Sequence, residues 1–128
     1  VIELELRILA DTYAVSRLSP AAPTPEWAAG ELLALIRTPD ELSIVSRSDS
    51  VPGLVRSERD WRALCVQGPL DLSLLGTLAA LCAALAEAEI PVFALSTFDT
   101  DYLLVRERDL AHAIQALESA GHRVRGHT

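Results

Sequence analysis

The chain has 128 residues, half of them hydrophobic and only 5% aromatic, with a net charge of −7. That length holds one ordinary domain or two very small ones, and the interior must be built from Leu, Val, Ile and Ala. All its basic residues are Arg, and the acidic balance argues against duplex nucleic acid or an anionic membrane as main partner, since both require a basic face.

No apolar run reaches the roughly eighteen residues of a transmembrane helix. The first residues, VIELELRILADTYAV, alternate and carry acids, unlike a secretory signal. Cys65 and Cys82 sit in apolar stretches and read as buried thiols of a reducing, cytoplasmic protein.

In chain order, strands are predicted at 3–9, 12–18, 32–38 and 41–47. Between the second and third, SPAAPTPEWAAG has room for one helical turn near Trp27, with Pro25 suited to its start. A second helix in this half is missing or reduced to a turn around VPG.

From Trp61 the pattern is fuller. WRALCVQG reads as a strand ending at a Gly-Pro break, and PLDLS as a loop. Leu74, Leu78, Leu81, Cys82 and Leu85 fall at helical spacing, with Ser73 as N-cap and Asp71 just ahead of it. Glu87, Glu89 and Pro91 end that helix. PVFALST and YLLVRE form a hairpin around the turn FDTD. Asp109 then caps a second helix with the stripe Leu110, Ala113, Ile114 and Leu117. Gly121 stops it, and HRVRG is the last strand. Two helices on one face of a four-stranded antiparallel sheet make an α+β, ferredoxin-like βαββαβ unit.

The halves compare internally. Aligned without a gap, ALIRTPDELSIV (34–45) and ALSTFDTDYLLV (94–105) share Ala34/Ala94, Leu35/Leu95 and Val45/Val105. The expected organisation is therefore two tandem units, 1–60 and 61–128, the N-terminal one a copy reduced in helix.

The string LAEAEIPVFALSTFDTDYLLVRERDL, with RTPDELSIV and WRALCVQGPLDLSLLG upstream, resembles the tandem ACT-domain family, which includes small bacterial proteins and the animal cytosolic arginine sensor. The resemblance implies a non-catalytic regulatory protein that pairs as a homodimer and takes a small-molecule ligand, often an amino acid, with no cofactor. Carried over by position, it implies a ligand site on the loop residues Asp71, Ser73, Leu74 and Gly76 and on the hairpin residues Thr97, Phe98, Thr100 and Asp101. A loop entering a helix N-terminus presents free N–H groups to a carboxylate, and a turn carboxylate accepts an ammonium or guanidinium. The loop has Leu74 where the arginine sensor's ligand-binding unit has an acid, and its turn is closer to that of the sensor's other unit.

Each of these residues also has a purely structural reading. Asp99 and Asp101 serve as turn caps, Asp71 and Ser73 as helix caps, Arg37 and Glu41 as a cross-hairpin ion pair, and Trp27 and Trp61 as packing. Accordingly an interaction module with a vestigial pocket stays open as an alternative. Catalysis has little support. His112 lies on a helix, His122 and His127 lie near an exposed C-terminus, and there is no nucleophile setting, P-loop or GxGxxG. An acylphosphatase-like enzyme needs an Asn, which the chain lacks, and an RNA-binding sheet needs exposed aromatics.

Overall fold

Residues 3 to 18 contain neither Gly nor Pro. In the computed structural model, which describes residues 3–67 and 76–126, they form one unbroken strand, β1 (Glu5–Leu18). The expected break at residues 10 and 11 does not occur, because without a breaker the extended backbone simply continues. There follow β2 (Ala34–Arg37), β3 (Leu42–Arg47), a 3-10 turn, β4 (Ser57–Val66), α1 (Thr77–Glu87), β5 (Phe93–Ser96), β6 (Asp101–Arg106), a second 3-10 turn, α2 (Leu110–Ser119) and β7 (Arg123–Arg125). The class is α+β, with a largely antiparallel sheet.

The chain divides into two compact units: Asp11–Trp61, and Val1–Ala10 with Arg62–Thr128. The first ten residues thus go with the C-terminal part, whereas the sequence grouped them with the N-terminal one. The cause is pairing. The first half of β1 runs parallel to β7, with Glu5 opposite Arg123 and Arg7 opposite Arg125.

In this helical unit the strand order is β7-β1-β4-β6-β5. A simple βαββαβ unit would place the last strand beside β4; here β1 lies between them. Its alternation explains the fit. Leu4, Leu6 and Ile8 join the core with Val124, Leu64, Val66, Leu103 and Val105. The opposite positions place Glu5 3.1 Å from Arg125 and Glu3 3.5 Å from Arg123.

Both helices pack on that core. Leu81 and Leu85 of α1 and Leu110, Ala113 and Leu117 of α2 are buried, while Leu78, Cys82 and Ile114 flank them as the helical spacing predicts. Each buried Leu contributes about 1.5–3 kcal/mol. Leu74 lies outside the described residues. Asp109 makes no capping bond; it belongs to the 3-10 turn Glu107–Asp109 that leads into α2.

The helix ends are alike. At Gly121 (φ +99°) the amide of His122 bonds the Leu117 carbonyl and that of Gly121 bonds Glu118. At the end of α1 the amide of Ile90 bonds Leu85 and that of Glu89 bonds Ala86, with Glu89 left-handed at φ +61°. Both are Schellman closures, the second without glycine.

The smaller unit carries the sheet β2-β3-β1-β4 and no α-helix among its described residues. Tyr13 pairs with Arg47 and Leu18 with Leu42 across β1 and β3. The expected helical turn near Trp27 is only a hydrogen-bonded turn. Gly30 is required by space and conformation. Its φ is +144°, and an added Cβ would stand 2.9 Å from the Leu32 carbonyl oxygen and 3.3 Å from the Tyr13 ring.

Candidate functional site

The β5–β6 hairpin closes on threonine chemistry. The Thr97 amide donates to the Thr100 carbonyl (2.8 Å), the Thr100 amide donates to Thr97 Oγ1 (3.2 Å), and Thr97 Oγ1 donates back to the Thr100 carbonyl (3.1 Å). Ser96 Oγ donates to Asp101 Oδ1 at 2.7 Å. Phe98, at the tip, is 81% exposed. The β2–β3 hairpin repeats this pattern. The Thr38 amide donates to Glu41, the Asp40 and Glu41 amides donate to Thr38 Oγ1, and Ser43 Oγ donates to Glu41 Oε1.

These bonds match TPDE (38–41) to TFDT (97–100), a shift from 38 to 97. The ungapped sequence match instead ran from 34 to 94, so it is out of register by one residue. The corrected shift also superposes the 3-10 turns Ser48–Ser50 and Glu107–Asp109. The expected Arg37–Glu41 ion pair is not formed: Arg37 donates to the Pro20 carbonyl, and Glu41 takes the Ser43 hydroxyl.

In the helical unit the hairpin turn is tied to the strand before the connection. Thr100 Oγ1 donates to the Val66 carbonyl, at the last residue of β4. After the connection, Gly76 stands immediately before α1 in left-handed conformation (φ +78°, ψ +4°), with nothing within 4 Å of where a Cβ would be. Its backbone, not its lack of bulk, calls for glycine. Of the predicted site residues, Thr97, Phe98, Thr100 and Asp101 share the hairpin end, and Asp71, Ser73 and Leu74 lie outside the described residues.

Two residues of α1 have surroundings that the sequence reading did not assign to them. Thr77, the first residue of α1, is buried, and its Oγ1 has no hydrogen-bond partner among the described residues. A Thr opening an Ala/Leu helix carries no local signal of that. Cys82, one turn and a half further on, has its thiol pushed up, first by burial and then by the Asp101 carboxylate. Asp101 therefore acts electrostatically on the side of α1 that holds Cys82.

His122, expected near an exposed end, is buried, and its Nδ1 accepts the Leu4 amide at 3.1 Å. It is a structural acceptor at the start of β1. Arg62 is also buried, donating to the Leu9 carbonyl at 3.0 Å and lying 3.9 Å from Glu107.

A family model for the ACT domain matches residues 56–119, half of the chain, and a second model, for an N-terminal domain, matches 11–53. A crystal structure of a protein from Agobacterium tumefaciens is 36% identical, with 100% of this chain and 96% of that one covered and a TM-score of 0.94. A Vibrio cholerae protein of unknown function, described as a possible transport protein, is 19% identical over 93% of this chain and 91% of that one, at 0.75. The ligand-free regulatory subunit of aspartate kinase from Thermus thermophilus is 11% identical over 88% and 93%, at 0.61, a likeness of fold alone. With the ACT model spanning half its residues and a close relative along its whole length, the chain belongs to the ACT-domain family.

Proposed function

We propose that this chain is a non-catalytic regulatory protein that binds a small molecule, an amino acid, where the β4–α1 connection meets the hairpin turn of the helical unit. The observation that carries the reading is the bond from Thr100 to the Val66 carbonyl, which holds the turn against the strand leading into that connection. Asp71, Ser73, Leu74 and Gly76 supply the connection side of the site, and Thr97, Phe98, Thr100 and Asp101 the hairpin side. The start of α1 has amides without intrahelical partners, suited to a carboxylate, and the Thr77 hydroxyl beside them has no partner among the described residues. Asp101 suits an ammonium group.

The smaller unit is read as a reduced repeat, with the repeat boundary near 60/61. The shared threonine turns and 3-10 turns support this. The protein works in the cytoplasm as a homodimer; no helix among the described residues is long and apolar enough to cross a membrane.

A thermal-shift screen of the twenty amino acids tests the ligand. At hundredfold excess over Kd, a ligand adds about 2.7 kcal/mol to stability. At least one amino acid raises the midpoint, and Asp101→Ala removes the rise. One observation favours the alternative of a protein-interaction module with a vestigial pocket: the turn's Thr97, Thr100 and Asp101 already satisfy one another and Ser96. No shift with any amino acid at millimolar concentration selects that alternative.

A further inference from the structure

We propose that Arg17 and Arg56, side by side on one face of the smaller unit's sheet, form a binding site for a phosphate group. Strand register puts them together. The Arg17 amide donates to the Arg56 carbonyl at 3.0 Å, and Ser16 Oγ lies 3.0 Å from Ser57 Oγ. Residue 17 therefore stands opposite 56, and residue 16 opposite 57. Alternation turns the two serines to one face and the two arginines to the other. Directly opposed side chains on an antiparallel pair stand about 4.5–5.5 Å apart at Cβ, where like charges repel. Both arginines are exposed. Ser43 is the partner of Arg17 on the other flank of β1, so it shares their face.

The chain has 18 acidic residues against 11 basic ones, yet neither charge of this pair is met by a carboxylate. Arg47, Arg62, Arg123 and Arg125 each have one within 4.0 Å. The Arg17 side chain donates instead to the neutral Asp40 carbonyl at 3.0 Å, and the Arg56 side chain makes no hydrogen bond or ion pair among the described residues. Glu41, beside them, takes the Ser43 hydroxyl. Glu58, two residues along β4, pairs with neither arginine among the described residues. The Asp40 carbonyl holds one guanidinium in place and leaves its remaining N–H groups for a ligand, so less freedom is lost on binding.

Two adjacent cations call for a dianion. A carboxylate's two oxygens lie in one plane and are filled by a single guanidinium fork. The three free oxygens of a phosphate point in different directions and accept from two guanidiniums on neighbouring strands.

The site lies in the smaller unit and is independent of the amino-acid reading. Inorganic phosphate, titrated into the full chain near pH 7.5 at constant ionic strength, is the probe, followed by NMR shifts of backbone amides and Arg Nε. Saturable shifts are expected at Arg17, Ser43 and Arg56, with none from acetate. Arg56→Gln weakens binding at least about tenfold, the loss of a charge-assisted contact. Arg108→Gln, an equal change of net charge in the 3-10 turn before α2, leaves binding unchanged. Stability is a separate readout. Arg56 has no side-chain hydrogen bond or ion pair to lose among the described residues, so without phosphate Arg56→Gln raises the urea midpoint by relieving the repulsion. Phosphate then raises the midpoint of wild type and not of the variant. Glycerol 3-phosphate separates the sources of the group: an ester bound as tightly as the free ion assigns the site to phosphorylated molecules, and one bound more weakly assigns it to inorganic phosphate. Shifts that do not saturate, an equal response to acetate, or phosphate binding that survives Arg56→Gln overturns the proposal.

Discussion

At the residue scale, the most informative groups are those whose chemistry the fold has moved. Burial pushes the Cys82 thiol up, and the Asp101 charge adds to it. Burial likewise pushes the Tyr13 hydroxyl up, opposed by its acceptance of the Leu32 amide and raised further by Asp11 and Glu31. Both groups hold their protons more tightly folded than unfolded. Their contribution is complete below the unfolded values, near 8.5 for a thiol and 10 for a phenol, and is lost as pH rises past them. Urea midpoints should therefore fall above about pH 8.5. In a Cys65→Ser background, iodoacetamide should modify Cys82 more slowly than a free thiol at pH 8, and Asp101→Asn should speed it; an unchanged rate would separate Asp101 from α1. Glu89 makes a second prediction. A non-glycine left-handed residue costs about 1–2 kcal/mol, and Gly gives part of that back in unfolded-state entropy. Glu89→Gly should stabilise by roughly 0.5–1 kcal/mol in urea denaturation.

At the element scale, the smaller unit shows how a helix is dispensed with. Arg59 on β4 donates to the carbonyls of Ser48 (3.0 Å), Val51 (3.3 Å) and Pro52 (3.1 Å), closing the 3-10 turn where the other unit continues into α2. Arg59→Ala should cost about 2 kcal/mol by denaturant midpoint, and Arg59→Lys should not restore it, because one ammonium cannot span the three carbonyls with a planar fork. Helices were legible in the sequence because Leu81, Leu85, Leu110 and Leu117 repeat at a period no strand shares. The hairpins were legible from alternation, but their mutual register was not. Matching Ala34 to Ala94 compares letters that any strand tolerates, whereas Thr38 and Thr97 carry the turn's hydrogen bonds. The place of β1 between β7 and β4 was illegible for another reason. Pairing between Glu5 and Arg123 leaves no local mark on either segment, and the burial of His122 follows from that same distant pairing.

At the scale of the whole molecule, family membership and the α+β fold agree with the periodicity. The β5–β6 hairpin end of the helical unit holds the proposed residues Thr97, Phe98, Thr100 and Asp101. Its four residues meet at one turn because Thr97 and Thr100 close it and Thr100 anchors it to Val66. On the proposed reading, an amino acid binds at this end of the helical unit. Amide chemical-shift mapping during an amino-acid titration tests it most directly. Saturable shifts are expected, concentrated at Gly76–Leu78 and Thr97–Asp101 and lost in Asp101→Ala. Shifts confined to other parts of the chain, or none at millimolar ligand, would contradict it.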